Sequence, residues 1–178
     1  LIDECCDKYY GESIDRDGIH AKQGKVNEDI LFELMTHEYI HKSPPKSTGR
    51  HEFGRELIDC IIKNNYQTIP DDLIKTFCVF TAKSIAENLN KFLNFDNSNI
   101  NLIVSGGGIK HPVLMKDVQK YSGILDLKTS NVLGMEPDMK ETLLIAVIGV
   151  AHMQAIKANM PSVTGAEKMV VLGDLIKN

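Results

Sequence analysis

The residues His37, Glu38 and His41 have the types and spacing of a zinc site on a helix. Two imidazoles one turn apart could hold zinc together with a further ligand, and the glutamate could act as a general base. Pro44 and Pro45 follow almost at once, and proline ends a helix because it has no backbone N–H to donate. The pattern therefore favours a solvent-exposed helix end, and a zinc hydrolase remains an alternative.

The stretch directly after these prolines is a loop rich in cationic and hydroxyl side chains. It contains Lys46, Ser47, Thr48, Gly49 and Arg50. Cationic and hydroxyl groups of this kind can bind an anionic or hydroxylated ligand. They are also ordinary surface residues, so the composition alone does not separate the two interpretations.

A second candidate site is the turn formed by Gly106, Gly107 and Gly108, which follows Ser105 at the end of a strand-like segment. Glycines let backbone N–H groups approach a ligand closely, and the N-terminus of the next helix attracts anions. Phosphates or a nucleotide would fit such a place. The turn matches neither the Walker pattern nor GxGxxG, and a tight strand–helix connection would look the same.

Alternating helical and strand-like segments must position these residues, and this alternation predicts an α/β architecture. Asn27 is expected to cap the second helix, and the longest apolar run, residues 143–151, is expected to be buried. The expected helices are residues 1–10, 27–37, 71–93, 111–122 and 138–159, and the expected strands are residues 101–105 and 123–130. Residues 56–64 are expected to form either a helix or a strand followed by a helix.

The composition excludes several classes of function. The 178 residues suffice for one domain or two small ones, and the 20 basic and 24 acidic residues give a net charge of -4, which argues against nucleic acid as a partner. The apolar runs are too short for a membrane span, so no membrane partner is expected. Four cysteines without a CxxC pair, and no secretory leader, favour reduced thiols in a cytoplasmic protein.

Four separated motifs resemble, in order and spacing, the C-terminal half of anhydro-N-acetylmuramic acid kinases. They are PPKSTGR at residues 44–50, VSGGG with the following PVLM at 104–115, PDMKE at 137–141, and PSVTGA with VVLG at 161–173. The resemblance implies an actin-like sugar kinase with ribonuclease-H-like cores, each a mixed sheet flanked by helices. It also implies ATP and Mg²⁺ as cofactors, cleavage of the 1,6-anhydro ring by water, and phosphorylation of the sugar at O6.

The resemblance also assigns roles to individual residues. It implies that Ser105, Gly106, Gly107, Gly108 and His111 bind the nucleotide, although the family usually has asparagine at the position of His111. It implies that Glu141 lies near the sugar and orients the attacking water or the sugar, and that residues 46–50 line the ligand cleft. No residue of this chain is assigned to a metal.

The resemblance further implies that residues 1–178 are the C-terminal part of a kinase, mostly its second actin-like domain. The family's catalytic aspartate, in a DTGPGN-like motif, and its GTSxDG phosphate loop would both precede Leu1, so this chain alone is expected to be inactive. The expected partners are ATP and an amino sugar, and a homodimer remains open. The alternative is an inactive relative that binds nucleotide or another protein.

Overall fold

The computed structural model describes residues 1–65, 67–93, 100–124 and 126–176. Short 3-10 turns occur at Arg16–Gly18, Gly107–Lys110, Ser130–Leu133 and Pro137–Met139. The helices are α1 (Ile2–Tyr10), α2 (Ile19–Gln23), α3 (Glu28–Met35), α4 (Glu38–His41), α5 (Arg55–Asn64), α6 (Pro70–Phe92), α7 (Pro112–Ser122), α8 (Lys140–Met153) and α9 (Pro161–Thr164), and the strands are β1 (Asn101–Val104) and β2 (Asp126–Thr129).

Helix α6 is the centre of the core, and α1, α2, α3 and α7 pack against it. Pro70 occupies its first turn, where the missing N–H costs nothing, and Asp71 and Asp72 complement the positive end of the helix dipole. Ile74 and Phe77 are fully buried in its middle. The predicted helix at residues 71–93 is confirmed.

The two strands form a parallel pair in which Asn101 lies opposite Asp126 and Val104 lies opposite Thr129. Helix α7 connects them, so β1, α7 and β2 form a βαβ unit. This unit confirms the α/β prediction. The strand predicted at residues 123–130 is shorter in the structure, and its residue 125 lies outside the described residues. The described residues contain only parallel pairing, so the mixed sheet and the actin-like fold stay predictions.

The second predicted helix is interrupted, because α3 ends at Met35 and α4 is a separate turn that starts at Glu38. The Asn27 side chain accepts hydrogen bonds from the backbone N–H groups of residues 29 and 30, which confirms the predicted N-cap. The prediction that the helix reaches His37 is wrong. The His37 ring instead accepts a hydrogen bond from the N–H of Tyr39, so it caps the start of α4.

The last long helix, α8, is shorter than predicted and lies largely on the surface of this chain. A 3-10 turn precedes it, and Ala155 adopts a positive φ of 54° just after its end, which stops the helix. The prediction that residues 143–151 are buried is wrong for this chain, since Ala151 is the buried residue of the run. No helix among the described residues has both the length and the apolar character needed to cross a bilayer.

Candidate functional site

A cavity of about 970 Å³ brings parts of both predicted sites together. Gly107, Gly108 and His111 form one part of its wall, and Lys46 and Thr48 from the loop after the prolines form another. These residues are about 60 positions apart in the sequence, and helices α4, α6 and α7 hold the two segments in place. The volume lies in the range of pockets that hold small-molecule ligands.

The glycine turn is held in a shape that only glycine adopts readily at its first position. Gly106 has a φ of 92°, and its N–H donates a hydrogen bond to the carbonyl oxygen of Pro137 at 3.3 Å. A Cβ at Gly107 would meet no atom within 4 Å, so the space beside the turn is open. A ligand can therefore approach the backbone of Gly107 and Gly108 from the cavity.

His111 connects the glycine turn to α7 and is buried, with 8% of its surface exposed. Its Nδ1 accepts a hydrogen bond from the N–H of Leu114 at 3.1 Å and so caps α7. The ring proton is therefore on Nε2, which donates to the carboxylate of Asp15 at 3.1 Å. Both ring nitrogens are engaged by protein groups, so neither is free to bind a ligand in the cavity.

Asp15 is a site residue that the sequence analysis missed. Its carboxylate is buried and also accepts hydrogen bonds from the backbone N–H groups of His20 at 2.9 Å and Ala21 at 3.0 Å. It thereby fixes the turn that presents Arg16 and Asp17, both exposed, on the cavity wall. The polar composition of residues 11–25 predicts a loop, but this segment contains a 3-10 turn and helix α2 instead.

Two neighbouring left-handed residues shape this turn. Asp17 has a φ of 56° and Gly18 a φ of 67°. Aspartate and glycine are among the residues that tolerate this conformation best, so the D-R-D-G sequence was the available signal. A Cβ at Gly18 would lie 2.8 Å from Cγ2 of Val113, which shows how closely the turn packs on the start of α7.

Lys46 is anchored to the backbone rather than extended into solvent. Its ammonium donates hydrogen bonds to the carbonyl oxygens of Tyr39 at 3.0 Å and Ile40 at 3.2 Å, at the end of α4. Burial lowers the pKa of Lys46, and the nearby Lys91 adds to this effect. The ammonium thus holds the loop against α4 while it forms part of the cavity wall.

The other residues of this loop are divided between the cavity and the outer surface. Thr48 lies on the cavity wall, and its hydroxyl group donates a hydrogen bond to Glu52. Ser47, Gly49 and Arg50 are exposed and are not among the residues that line the cavity. The structure therefore brings only part of the predicted loop to the site.

Glu141 and the first residues of the glycine turn, Ser105 and Gly106, are not among the residues that line the cavity. The segment before Glu141 contacts the turn, because Pro137 accepts a hydrogen bond from Gly106 and Asp138 pairs with Lys110. Glu141 itself is exposed in the first turn of α8 and does not line the cavity. Ser105 is half-buried and is likewise not part of the lining.

The zinc alternative does not fit the geometry of His37 and His41. The ring of His37 caps α4 and packs on Phe53 at a centroid distance of 4.8 Å. The ring of His41 lies 2.9 Å from the carbonyl oxygen of Met35 and 3.1 Å from the carboxylate of Glu87. The two rings thus serve different contacts, and the described part of the chain has no group of three or more histidine, cysteine or acidic residues able to hold a metal.

The side of the cavity formed by α4, α6 and the segment before α5 is aromatic. Phe53 lies at ring-centroid distances of 5.7 Å from both Tyr39 and Phe80, and all three line the cavity. A flat ligand ring can lie against such a wall, while the glycine turn offers backbone N–H groups to an anion. The cavity therefore suits a ligand that joins an aromatic or hydroxylated ring to a negatively charged group.

Comparison with known proteins gives consistent results. The family model described as anhydro-N-acetylmuramic acid kinase matches residues 1–178. A protein of that name from Clostridioides difficile (strain 630) is 33% identical over 176 residues, which cover 98% of this chain and 46% of the relative. The relative from Francisella tularensis subsp. novicida is 34% identical over 177 residues and that from Vibrio vulnificus (strain YJ016) is 32% identical over 176, with the same coverage. The chain spans about half the length of these relatives.

Proposed function

Because the chain belongs to the anhydro-N-acetylmuramic acid kinase family, we propose that it forms the nucleotide-binding part of an ATP-dependent sugar kinase. The proposed reaction opens the 1,6-anhydro ring of anhydro-N-acetylmuramic acid with water and phosphorylates O6. The observation that carries the proposal is the cavity, whose lining includes both an open glycine turn and an aromatic cluster. An aromatic surface suits adenine and a glycine turn before a helix suits phosphates, so the two surfaces support the proposal.

The glycine turn is proposed to bind the phosphates of ATP. Gly107 and Gly108 line the cavity without a Cβ, and they precede α7, whose 11 residues add a positive dipole end. Arg16 and Lys110 also lie on the wall and bring positive charge to the same region. Lys110 forms an ion pair with Asp138, whereas no ion pair of Arg16 occurs among the described contacts. Arg16 is therefore the more available of these two cations for a phosphate.

Magnesium is proposed to enter with the nucleotide. Mg²⁺ is usually held by one or two carboxylates together with phosphate oxygens and water, rather than by a protein cage. Asp3 and Asp17 are exposed carboxylates on the cavity wall and fit that requirement. When bound, the ion would neutralise phosphate charge during transfer.

The chemical step is proposed to need groups beyond this chain. Glu141 is proposed to orient the attacking water or the sugar, with the catalytic base on the part of the relatives that this chain does not match. The position of Glu141 outside the cavity lends this role no support of its own. We therefore expect the 178-residue chain alone to bind nucleotide without turning over the sugar.

Calorimetric titration of the 178-residue chain with Mg-ATP tests the nucleotide site. Gly107→Val should leave the fold intact, because a Cβ at Gly107 meets no protein atom within 4 Å. It should abolish ATP binding, because the added side chain would occupy the space beside the turn that the phosphates are proposed to fill. Gly149→Val is the matched control, since a Cβ at Gly149 also meets nothing and Gly149 lies in α8, away from the cavity. Equal ATP binding by both variants would refute the site.

Transfer of labelled γ-phosphate to the anhydro sugar tests the reaction. The chain alone should show no transfer, whereas the chain completed by the unmatched part of a relative should show it. Transfer by the chain alone would refute the proposed division of labour. Binding of ATP without transfer by the completed protein would support the alternative, an inactive nucleotide-binding relative.

A further inference from the structure

Two turns on the cavity wall are joined by a buried hydrogen bond between side chains. One is the turn Arg16–Gly18, and the other is the glycine turn that precedes α7. Nε2 of His111, at the start of α7, donates to the carboxylate of Asp15, which comes directly before the first turn. Both residues are buried. Hydrogen bonds to ionised groups are stronger than neutral ones, and burial strengthens them further.

Each partner of this hydrogen bond is also fixed within its own segment. The Asp15 carboxylate accepts from the backbone N–H groups of His20 and Ala21 at 2.9 and 3.0 Å. Nδ1 of His111 accepts from the N–H of Leu114 at 3.1 Å. Neither side chain can turn away without losing these further hydrogen bonds. The position of one turn is therefore transmitted to the other.

Close packing supports the same connection. A Cβ at Gly18 would lie 2.8 Å from Cγ2 of Val113 and 3.2 Å from Cε1 of His111, so the first turn lies directly against the start of α7. On the other side, Gly106 donates a hydrogen bond to the carbonyl oxygen of Pro137. The glycine turn is thus held between two fixed segments.

We propose that Asp15 and His111 are positioning residues that set the spacing between the glycine turn and the residues Arg16 and Asp17. This inference rests on the proposed function, in which the glycine turn and Arg16 bind phosphates and Asp17 binds Mg²⁺. One Mg-ATP molecule must reach all of these groups at once, so its affinity depends on the distance between the two turns. Asp15 and His111 act through the turns that they hold, since both ring nitrogens of His111 bind protein groups.

Two substitutions of His111 separate its hydrogen bond to Asp15 from its cap of α7. His111→Ser keeps a good N-cap acceptor for Leu114 but is too short to reach Asp15. His111→Gln extends an amide N–H towards Asp15 and gives up the cap. We expect His111→Ser to lower the affinity for Mg-ATP about tenfold and His111→Gln to restore most of that loss. The affinity for adenosine should stay unchanged in both, because adenosine has no phosphates.

Asn27→Ala is the matched control, because it removes the N-cap of α3 and Asn27 does not line the cavity. It should lower stability and leave both affinities unchanged. Arg16→Ala should weaken Mg-ATP binding by a smaller factor in His111→Ser than in the wild-type chain, because the guanidinium is no longer held in place there. Circular dichroism first shows that each variant is folded, and calorimetric titration then gives the affinities.

Hydrogen exchange of the wild-type 178-residue chain tests the connection without any substitution. Mg-ATP should slow exchange of the His20 and Ala21 amides, which bind Asp15, together with those of the glycine turn. Slowed exchange in the glycine turn alone would overturn the positioning role. Equal losses of Mg-ATP affinity in His111→Ser and His111→Gln, or no loss in either, would overturn it as well. Failure of the wild-type chain to bind Mg-ATP would refute the proposed function and this role with it.

Discussion

Replacement of Asp15 by alanine should destabilise the chain more than any single change at the surface. Its buried carboxylate accepts three hydrogen bonds, from the N–H groups of His20 and Ala21 and from the ring of His111. It thereby joins the turn at residues 16–18 to the start of α7. Removal of the carboxylate leaves these largely buried donors without their partner.

The expected loss follows from the cost of unpaired buried groups. A hydrogen bond to a charged group contributes about 1.5–3 kcal/mol, and each buried donor left unsatisfied costs about 1–3 kcal/mol. Because the surroundings relax in part, we expect Asp15→Ala to lower the free energy of unfolding by about 3–5 kcal/mol. With a urea m-value of about 2 kcal/mol/M, the midpoint should fall by roughly 2 M.

Urea unfolding followed by circular dichroism measures this change, with Asp59→Ala as the matched control. Asp59 is half-exposed and pairs with Lys8 at the surface, so its loss should cost less than about 1 kcal/mol. A double-mutant cycle of Asp15→Ala with His111→Ala should give a coupling of about 1.5–3 kcal/mol. Equal midpoints for Asp15→Ala and Asp59→Ala, or a coupling near zero, would refute the reasoning.

Three further predictions concern a strained glycine and the thiols. Gly18→Ala should lower stability by about 2 kcal/mol in thermal unfolding, because Gly18 combines a φ of 67° with a Cβ position only 2.8 Å from Val113. In the native chain Cys60 should be the one thiol of four that reacts with a chromogenic thiol reagent at pH 8, since it is exposed and the other three are buried. Burial raises the pKa of Cys5 and Cys6 from 9.0 to about 12, so stability should be full below pH 9 and should fall as the pH rises towards 12 in alkaline unfolding.

Each of these predictions has its own control. Gly107→Ala should change stability by less than about 0.5 kcal/mol, because Gly107 lacks a left-handed φ and has open space beside it. All four thiols should react after unfolding in urea, and fast reaction of a second thiol in the native chain would contradict the burial. Replacement of Cys5 and Cys6 by alanine should flatten the alkaline limb, and an unchanged limb would show that other groups cause it.

Local features of the fold could be predicted from the sequence. The Asn27 cap depends on hydrogen bonds and dihedral angles within a few residues, so the local sequence determines it. The apolar spacing of residues 71–93 likewise indicates a helix wherever it packs. The break before α4 escaped prediction, because the side chain of His37 competes for the same backbone N–H groups as a continuous helix would.

The sequence by itself predicted the long helix α6 and the positions of the two strands, indicated the candidate glycine turn and, through four motifs, pointed to the family. Only the tertiary structure decided which candidates meet: Gly107 and Lys46 share a cavity, whereas Glu141 lies outside it. The Asp15–His111 contact joins residues 96 positions apart, and no local pattern specifies such a pair. The physical reason is that dihedral preferences and apolar periodicity act over a few residues, whereas a site forms from the packing of distant elements.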